Sequence, residues 1–565
     1  MEKHGKEKSI WLFLAIGLVL TLAISLYQIA VIQKSFNITS VAYSPDGVNF
    51  RPINLPSFVN EGYFMINFTT DRRNLNLYLF ADDCIEYGYL NGAKFSGGEC
   101  TPCKHCRGVL GKGTFDPAAG RQNTLLIKTR KISGGTPFFV VENEENDVVW
   151  RALAVLSIMA LSILIYSRVA GRDLRTDVKT IRAAISKRHG LALVLLMSLA
   201  VQLAMTPWGQ SRDIVVWLIR AENIIHKGDW SFTRTAPDYL YMEETNMCKP
   251  PGAYLYEFII LRLLFGFNHI YTTFLVKLPP IAGNLLVGYA VWSILMGRVK
   301  NKRIPLVAAS LYVLNPVVIL QAAYLGKHDS LVIGFLLMAL KNLAKRRFSL
   351  YYGLAVLGKQ FPLLMAPWIL LQRGMIRKMI LAGCVFVILA FPFLLDNPML
   401  FFERLIKTST EKAPSDLSWM INLKPLGEGF VLTASKVFLG IYFLTVVLVA
   451  FAVAADAYAM GAIVFTLFAV FSKVVFEQYV LWSLPFLIIT YYLTKKRTTM
   501  AAFIIGSVSC AINNEDYRML PENLANLWNI LLALTYLAAA VDLARTGFTP
   551  RKVRDRVHAA WQKLK

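Results

Sequence analysis

Hydrophobic runs of roughly membrane-spanning length, separated by short polar stretches, recur from residue 10 to residue 543. A helix needs about 20 apolar residues to cross a bilayer, fewer where neighbouring helices shelter it. The pattern predicts about fourteen segments, short ones included: 10–32, 148–167, 191–208, 270–296, 304–322, 329–344, the short pair 349–358 and 360–371, 379–396, 432–453, 455–471, 478–494, 499–512 and 524–543. The expected fold is therefore an α-helical polytopic membrane protein. Residues 33–147 break the pattern. There, short alternating runs such as Tyr63–Phe68 and Leu75–Phe80 are separated by turn signals at Asp71–Asn74, Asn91-Gly92, Ser96–Gly98 and Gly134-Gly135. Such spacing predicts an all-β sandwich inserted between the first two helices.

Two features of that insert bear on chemistry. Cys100, Cys103 and Cys106 cluster, with Cys84 or His105 available as a fourth partner, so the group reads as disulfides, as a structural metal site or as free thiols. The extracellular or luminal placement expected below suits disulfides, and no reading makes the cluster catalytic. Asn37-Ile-Thr and Asn67-Phe-Thr are glycosylation sequons, although Asn67 falls within a predicted strand.

Charge then orients the chain. It has 565 residues, 55% of them hydrophobic, and a net charge of +24. The excess lies between the hydrophobic runs, at Arg168–Arg188, Arg298–Arg303, Lys345–Arg347, Arg373–Lys378, Lys495–Arg497 and the tail from Arg545. If the N-terminus, with Lys3, Lys6 and Lys8, is cytoplasmic, alternation of the segments puts every cluster inside, as the positive-inside rule requires. This distribution points to anionic headgroups and argues against nucleic acid. The long first run without a cleavage site reads as a retained anchor. The expected organisation is an anchor helix (1–32), an external β domain (33–147), a second helix with a basic cytoplasmic segment (148–190), a catalytic transmembrane domain (191–545) and a basic cytoplasmic tail (546–565).

The same alternation gathers ionisable residues at the external ends of helices. Asp213 follows the third span, in Thr206-Pro-Trp-Gly-Gln-Ser-Arg-Asp213. Lys249-Pro-Pro-Gly-Ala-Tyr254 closes the external loop 209–268. Lys327 and His328 stand in Gly326-Lys-His-Asp329, Lys359 between the two short segments, Arg404 and Lys407 in the loop 397–430, and Lys473 ahead of Gln478, Tyr479 and Trp482. Ionisable groups in or against a bilayer are costly and mark function by default. Each also has a plainer reading: Asp213 and Asp329 as helix caps, Lys359 and Lys473 as snorkelling cations, Tyr479 and Trp482 as interfacial anchors.

In order along the chain, Asp213, Gly228, Pro250-Pro251 with Tyr254, Asn315-Pro316, Gly326 with Asp329, Gly358-Lys-Gln-Phe-Pro362 with Pro367, and Ser472-Lys473 with Gln478, Tyr479 and Trp482 resemble the GT-C glycosyltransferases, in particular the polyprenyl-phosphate-mannose-dependent mannosyltransferases. The resemblance covers about residues 190–545. Lys249 stands where that family often has Tyr, and Lys327 where it usually has Gln. The β domain resembles protective-antigen-type carbohydrate-binding jelly rolls more weakly, through Ala81-Asp-Asp83, Tyr89–Gly92 and Asn123–Lys128; a spacer domain without ligand is the alternative.

The resemblance implies a membrane glycosyltransferase that moves a hexose, mannose by analogy, from a polyprenyl- or dolichyl-phosphate sugar to an acceptor hydroxyl of a glycan, glycolipid or protein on the external face, with inversion. Asp213 would be the base. Lys327, His328, Lys359, Arg404 and Lys473 would be candidates to hold the donor phosphate. Lys249, Tyr254, Asp329, Gln478, Tyr479 and Trp482 would line the substrate. No P-loop and no dinucleotide fingerprint is evident, and neither a cofactor nor a catalytic metal is expected. The competing class is a lipid or sugar transporter or flippase, for which charges near the bilayer midplane and repeated halves are the expected signs. An oligosaccharyltransferase would carry a Trp-Trp-Asp-Tyr-Gly signature, which this chain lacks.

Overall fold

The computed structural model describes residues 36–53, 57–59, 62–70, 77–81, 84–96, 108–109, 121–130, 136–142, 190–206, 214, 221, 224–225, 253–265, 274–394, 417–453, 455–512 and 522–547. The predicted spans 10–32 and 148–167, the basic tail from 548, and Cys100, Cys103, Cys106, Asp213, Lys249 and Arg404 lie outside these residues.

Among the described residues, ten strands occupy the alternating region. They are β1 (Phe36–Ser44), β2 (Arg51–Pro52), β3 (Ser57–Val59), β4 (Gly62–Thr70), β5 (Leu77–Ala81), β6 (Cys84–Leu90), β7 (Ala93–Ser96), β8 (Gly108–Val109), β9 (Gln122–Arg130) and β10 (Thr136–Glu142). They form two antiparallel sheets, of order β2-β1-β4-β9-β6-β7 and β3-β10-β5-β8. Alternation decides the buried face of the larger sheet. Phe64, Ile66 and Phe68 are fully buried, and Ile127 and Leu125 lie opposite Phe64 and Ile66. Asn91 and Gly92 both take positive φ, 50° and 85°, as a tight hairpin between β6 and β7 requires. The sequon residue Asn67 is a strand residue, as its sequence neighbours suggest; its Nδ2 donates to Ser40 Oγ at 2.9 Å and its Oδ1 accepts from Thr124 Oγ1 at 2.7 Å. The backbone of Cys84 begins β6, in register with Arg130.

The described residues from 190 onward are mainly helical: α1 (Gly190–Met205), α2 (Ala253–Phe265), α3 (Leu278–Met296, entered through a 3-10 turn at Leu275–Lys277), α4 (Ile304–Val313), α5 (Pro316–Ile319), α6 (Asp329–Lys341), α7 (Arg347–Gly358), α8 (Ala366–Leu370), α9 (Met375–Leu394), α10 (Glu428–Ala452), α11 (Ala457–Phe471), α12 (Glu477–Thr494), α13 (Arg497–Ile512) and α14 (Glu522–Gly547). Among the described residues four stretches are long and apolar enough to cross a bilayer: Leu275–Met296, Met375–Pro392, Gly429–Ala452 and Leu524–Gly547. The last three keep large apolar side chains exposed, among them Ile380, Ile388, Phe443, Leu444, Leu527 and Leu534. Exposed apolar faces of this extent belong against lipid. The chain is an integral membrane protein.

The predicted span 304–322 is a bent pair, broken by 51° between α4 and the stretch Pro316–Tyr324. Pro316 has no N–H to continue α4, and Asn315 Oδ1 accepts the Val317 N–H at 3.0 Å to start α5 afresh. A π turn over Leu320–Tyr324 follows. Lys327 N donates to Gln321 O at 2.7 Å, and Gly326, at φ +68°, reverses the chain into α6. Gly283 lets α3 approach that point closely, since a methyl there would fall on the Leu331 backbone; Ser330 Oγ also donates to Pro280 O at 2.8 Å. Three polar side chains inside the bundle are bonded to one another or to carbonyls around the break. Asn284 Nδ2 reaches Gln202 Oε1 and Val318 O, and Ser198 Oγ reaches Val313 O.

Alternation of the helices gives the bundle two chemically different ends. At one, the basic links gather: Arg298 bonds Asp456, Lys378 bonds Leu343 O and Lys496 bonds Asp542. At the other lie the end of α1, the starts of α3, α6 and α12, and the ends of α7 and α11.

Candidate active site

Asp329 is the centre of the second end. It is the first residue of α6, behind His328 at the N-cap, where an acid also suits the helix dipole. Its carboxylate does not cap the helix. Oδ2 accepts from Lys359 Nζ at 2.6 Å and Oδ1 accepts from Trp482 Nε1 at 2.8 Å. Asp329 is wholly buried and the Lys359 side chain is 12% exposed. A charge buried in this way requires both its partner and its hydrogen bonds.

The motif Gly358-Lys-Gln-Phe-Pro362 has a local reason. Lys359 ends α7 in extended conformation, φ −156° and ψ 159°, which points the chain across to α6. Two residues on, Phe361 stacks on Trp482, with ring centroids 4.0 Å apart and planes at 14°. Gln478, Tyr479 and Trp482 share one face of α12 through i, i+3 and i, i+4 spacing. The Tyr479 ring lies 4.3 Å from that of Trp482, and Phe465 and Phe468 of α11 close the other sides. Gln478 is buried, and its Oε1 has no hydrogen-bond partner among the described residues.

His328 is buried beside Asp329. Its Nε2 lies 3.3 Å from Glu257 Oε2 on α2, and its ring is 5.9 Å from that of Phe258. Burial pushes the Glu257 carboxyl above the usual carboxylate range, and His328 pulls it partly back. Lys327 is half-buried at the turn itself. Lys473, just past the end of α11, is buried in a segment where Ser418 Oγ donates to Ser472 O. Tyr254 belongs to the first turn of α2, with its side chain outside the described atoms.

Of the predicted site residues, Lys327, His328, Asp329, Lys359, Lys473, Gln478, Tyr479 and Trp482 therefore all fall at one end of the bundle, and Lys359, Asp329 and Trp482 are in direct contact. Two residues were not singled out from the sequence. Glu257 follows Tyr254 by one helical step, the signal that would have placed it on the same face. Lys277 is the only Lys, Arg, Asp or Glu in the run 270–296. It is fully buried, its Nζ donates to Thr206 O at 2.7 Å at the end of α1, and its Cγ borders Gly326. Ile214, the residue after Asp213, is buried against the same glycine. Among the described residues no three His, Cys, Asp or Glu side chains form a metal-sized group.

No family model and no curated protein matches this chain. Among the solved structures that this chain matches are two membrane proteins with low overall superposition. One is the crystal structure of ArnT from Cupriavidus metallidurans bound to undecaprenyl phosphate, 16% identical over 66% of this chain and 75% of that one, with a TM-score of 0.39. The other is the single-particle cryo-EM structure of the arabinosyltransferase EmbB from Mycobacterium smegmatis, 12% identical over 96% of this chain and 63% of that one, with a TM-score of 0.31. At such identities and scores, what this site does chemically has to be read from its own residues.

Proposed function

We propose that this protein is a membrane glycosyltransferase of the GT-C kind, which transfers a hexose, mannose by resemblance, from a polyprenyl-phosphate donor to an acceptor hydroxyl on the external face. The observation that carries the reading is the buried Asp329 carboxylate held by Lys359 and Trp482 beside the Gly326 turn, in a bundle whose outer faces are apolar. A lipid-linked donor needs a polar reaction end reached from the membrane, and ionisable groups are retained in such surroundings when function requires them. Ile214 against Gly326 supports delivery of the Asp213 segment to that turn.

In this reading Asp213 takes the proton of the acceptor hydroxyl as its oxygen attacks the anomeric carbon. The bond from that carbon to the phosphate oxygen breaks, and the electron pair leaves with the lipid phosphate. Lys327, with Arg404 and Lys473, would stabilise the charge that gathers there. Attack opposite the leaving group inverts the sugar carbon. Lys359 would act through Asp329, as a partner that fixes the turn.

The test is turnover of purified protein in nanodiscs with a panel of polyprenyl-phosphate hexoses, using a membrane glycolipid and glycan extract as acceptor. We expect transfer from at least one donor, and Asp213→Asn to lower kcat by about 10²–10⁴-fold while binding of polyprenyl phosphate persists. Absence of transfer from every donor, or full activity in Asp213→Asn, would refute the reading.

A further inference from the structure

Two carboxylates meet the Gly326–Asp329 turn, and they differ in how fully they are used. Both oxygens of Asp329 are taken, one by Lys359 and one by Trp482. Glu257 has only its Oε2 near a partner, 3.3 Å from His328 Nε2. Its Oε1 is buried and has no hydrogen-bond partner among the described residues. A buried carboxylate oxygen without a donor is costly, more so than a neutral acceptor.

The backbone that carries Glu257 is anchored. Its neighbours anchor α2 on either side: the Tyr256 hydroxyl donates to Leu389 O of α9, and Phe258 is fully buried beside the His328 ring. The carboxylate is thus held at the turn with one acceptor in reserve. What it lacks is a hydrogen-bond donor, and a sugar supplies several hydroxyls of that kind.

We infer that Glu257 is a substrate-binding residue whose Oε1 accepts a hydrogen bond from a sugar hydroxyl, and that this role belongs to Glu257 rather than to Asp329. The inference rests on the glycosyltransferase reading for the identity of the sugar. The hydroxyl belongs either to the hexose of the donor or to the acceptor glycan, and the arms of the experiment separate the two.

The experiment uses the full chain in nanodiscs, wild type and Glu257→Gln, with Glu257→Asp as a second variant that keeps the carboxyl group but draws it back by one methylene. Binding is read by thermal stabilisation with polyprenyl phosphate, with the polyprenyl-phosphate hexose that supports transfer, and with monodeoxy versions of that hexose. The donor arm predicts that each variant binds the intact donor about tenfold or more weakly yet binds polyprenyl phosphate as wild type does. One monodeoxy donor should then be bound equally by wild type and variant, because the lost hydroxyl and the lost acceptor are the same interaction. The acceptor arm predicts unchanged donor binding and a rise of similar size in the KM for acceptor. Either pattern supports the inference.

Wild-type affinity for donor and wild-type KM for acceptor in both variants overturn it, as does an equal loss of affinity for sugar-free polyprenyl phosphate, which would make Glu257 a support for the phosphate site through His328. If Glu257→Gln does not yield monodisperse protein, Glu257→Asp decides alone. Should wild type bind no polyprenyl-phosphate hexose more tightly than polyprenyl phosphate and transfer no sugar, the glycosyltransferase reading fails. A sugar-binding wild type with indifferent Glu257 variants sinks this inference by itself.

Discussion

Lys359–Asp329 at one end of the bundle and Arg298–Asp456 at the other have nearly the same length, 2.6 and 2.8 Å, and opposite surroundings. Asp329 is wholly buried, while the Arg298 and Asp456 side chains are 45% and 39% exposed. Asp456 also works as a helix cap, accepting the Tyr458 and Ala459 N–H groups at the start of α11, and Arg298 lies over the Tyr458 ring. The second pair is wet and redundant, and it ties only the end of α3 to the start of α11. The first is dry and joins three elements distant in sequence, α6, the end of α7 and α12. Geometry alone thus says little about an ion pair; what its loss leaves behind is decided by the dielectric around it.

The sharpest way to break the contrast is to remove one partner of the dry pair. Lys359→Met leaves Asp329 charged, buried and held only by Trp482, a situation that costs about 3–5 kcal/mol. Thermal unfolding in detergent should show a larger loss for this variant than for removal of either Arg298 or Lys496 at the wet end. Adding Asp329→Asn removes the orphaned charge, so the double variant should recover part of the loss. If the double variant is as unstable as the sum of the singles, the two groups are not coupled. Trp482→Phe comes next. It keeps the stack on Phe361 but deletes a hydrogen bond to a carboxylate, worth about 1.5–3 kcal/mol.

Gly326→Ala is of comparable size for a different reason. At φ +68° a side chain costs about 1–2 kcal/mol, and the added methyl would strike Ile214. Turnover should fall further than stability if that contact positions the Asp213 segment. Equal losses would make the glycine a structural turn only.

The two ends were also unequally legible in the sequence. Alternation of hydrophobic runs with basic clusters was enough to predict that Lys327, His328, Lys359, Lys473 and Trp482 share an end of the bundle, and from residue 275 the described helices agree. The short pair around Lys359 is present as α7 and the 3-10 turn with α8, and the Asn91-Gly92 hairpin and the strand over Tyr63–Phe68 lie where alternation put them. Contacts within the site were not legible. Asp329 reads locally as a cap for the following helix; only the packing of α7 and α12 against α6 shows that its oxygens go to Lys359 and Trp482. The break at Asn315-Pro316 was visible as a motif, but its 51° bend was not, because the bend depends on which freed carbonyls find Ser198 and Asn284. Lys277 was hidden by composition: one lysine barely alters a hydrophobic run, and its meaning appears only when Thr206 O is found 2.7 Å away.

The smallest effects belong to the wet end. Arg298→Ala should cost about 0.2–1 kcal/mol. Lys496, whose pair with Asp542 is 32% and 29% exposed and shares the carboxylate with Thr498, should behave alike. The discriminating measurement is salt. Screening shortens to about 3 Å at 1 M ionic strength, so high salt should erase most of the difference between wild type and Arg298→Ala. It should leave the Lys359→Met deficit nearly intact, because ions do not enter a site where the carboxylate has no exposed surface. A salt-insensitive deficit in Arg298→Ala would mean that its loss acts through packing on Tyr458, since the stem and guanidinium of arginine cover surface as well as carry charge. Arg298→Met separates those two contributions: it restores the stem without the charge, and recovery of stability in that variant assigns the effect to contact with the ring.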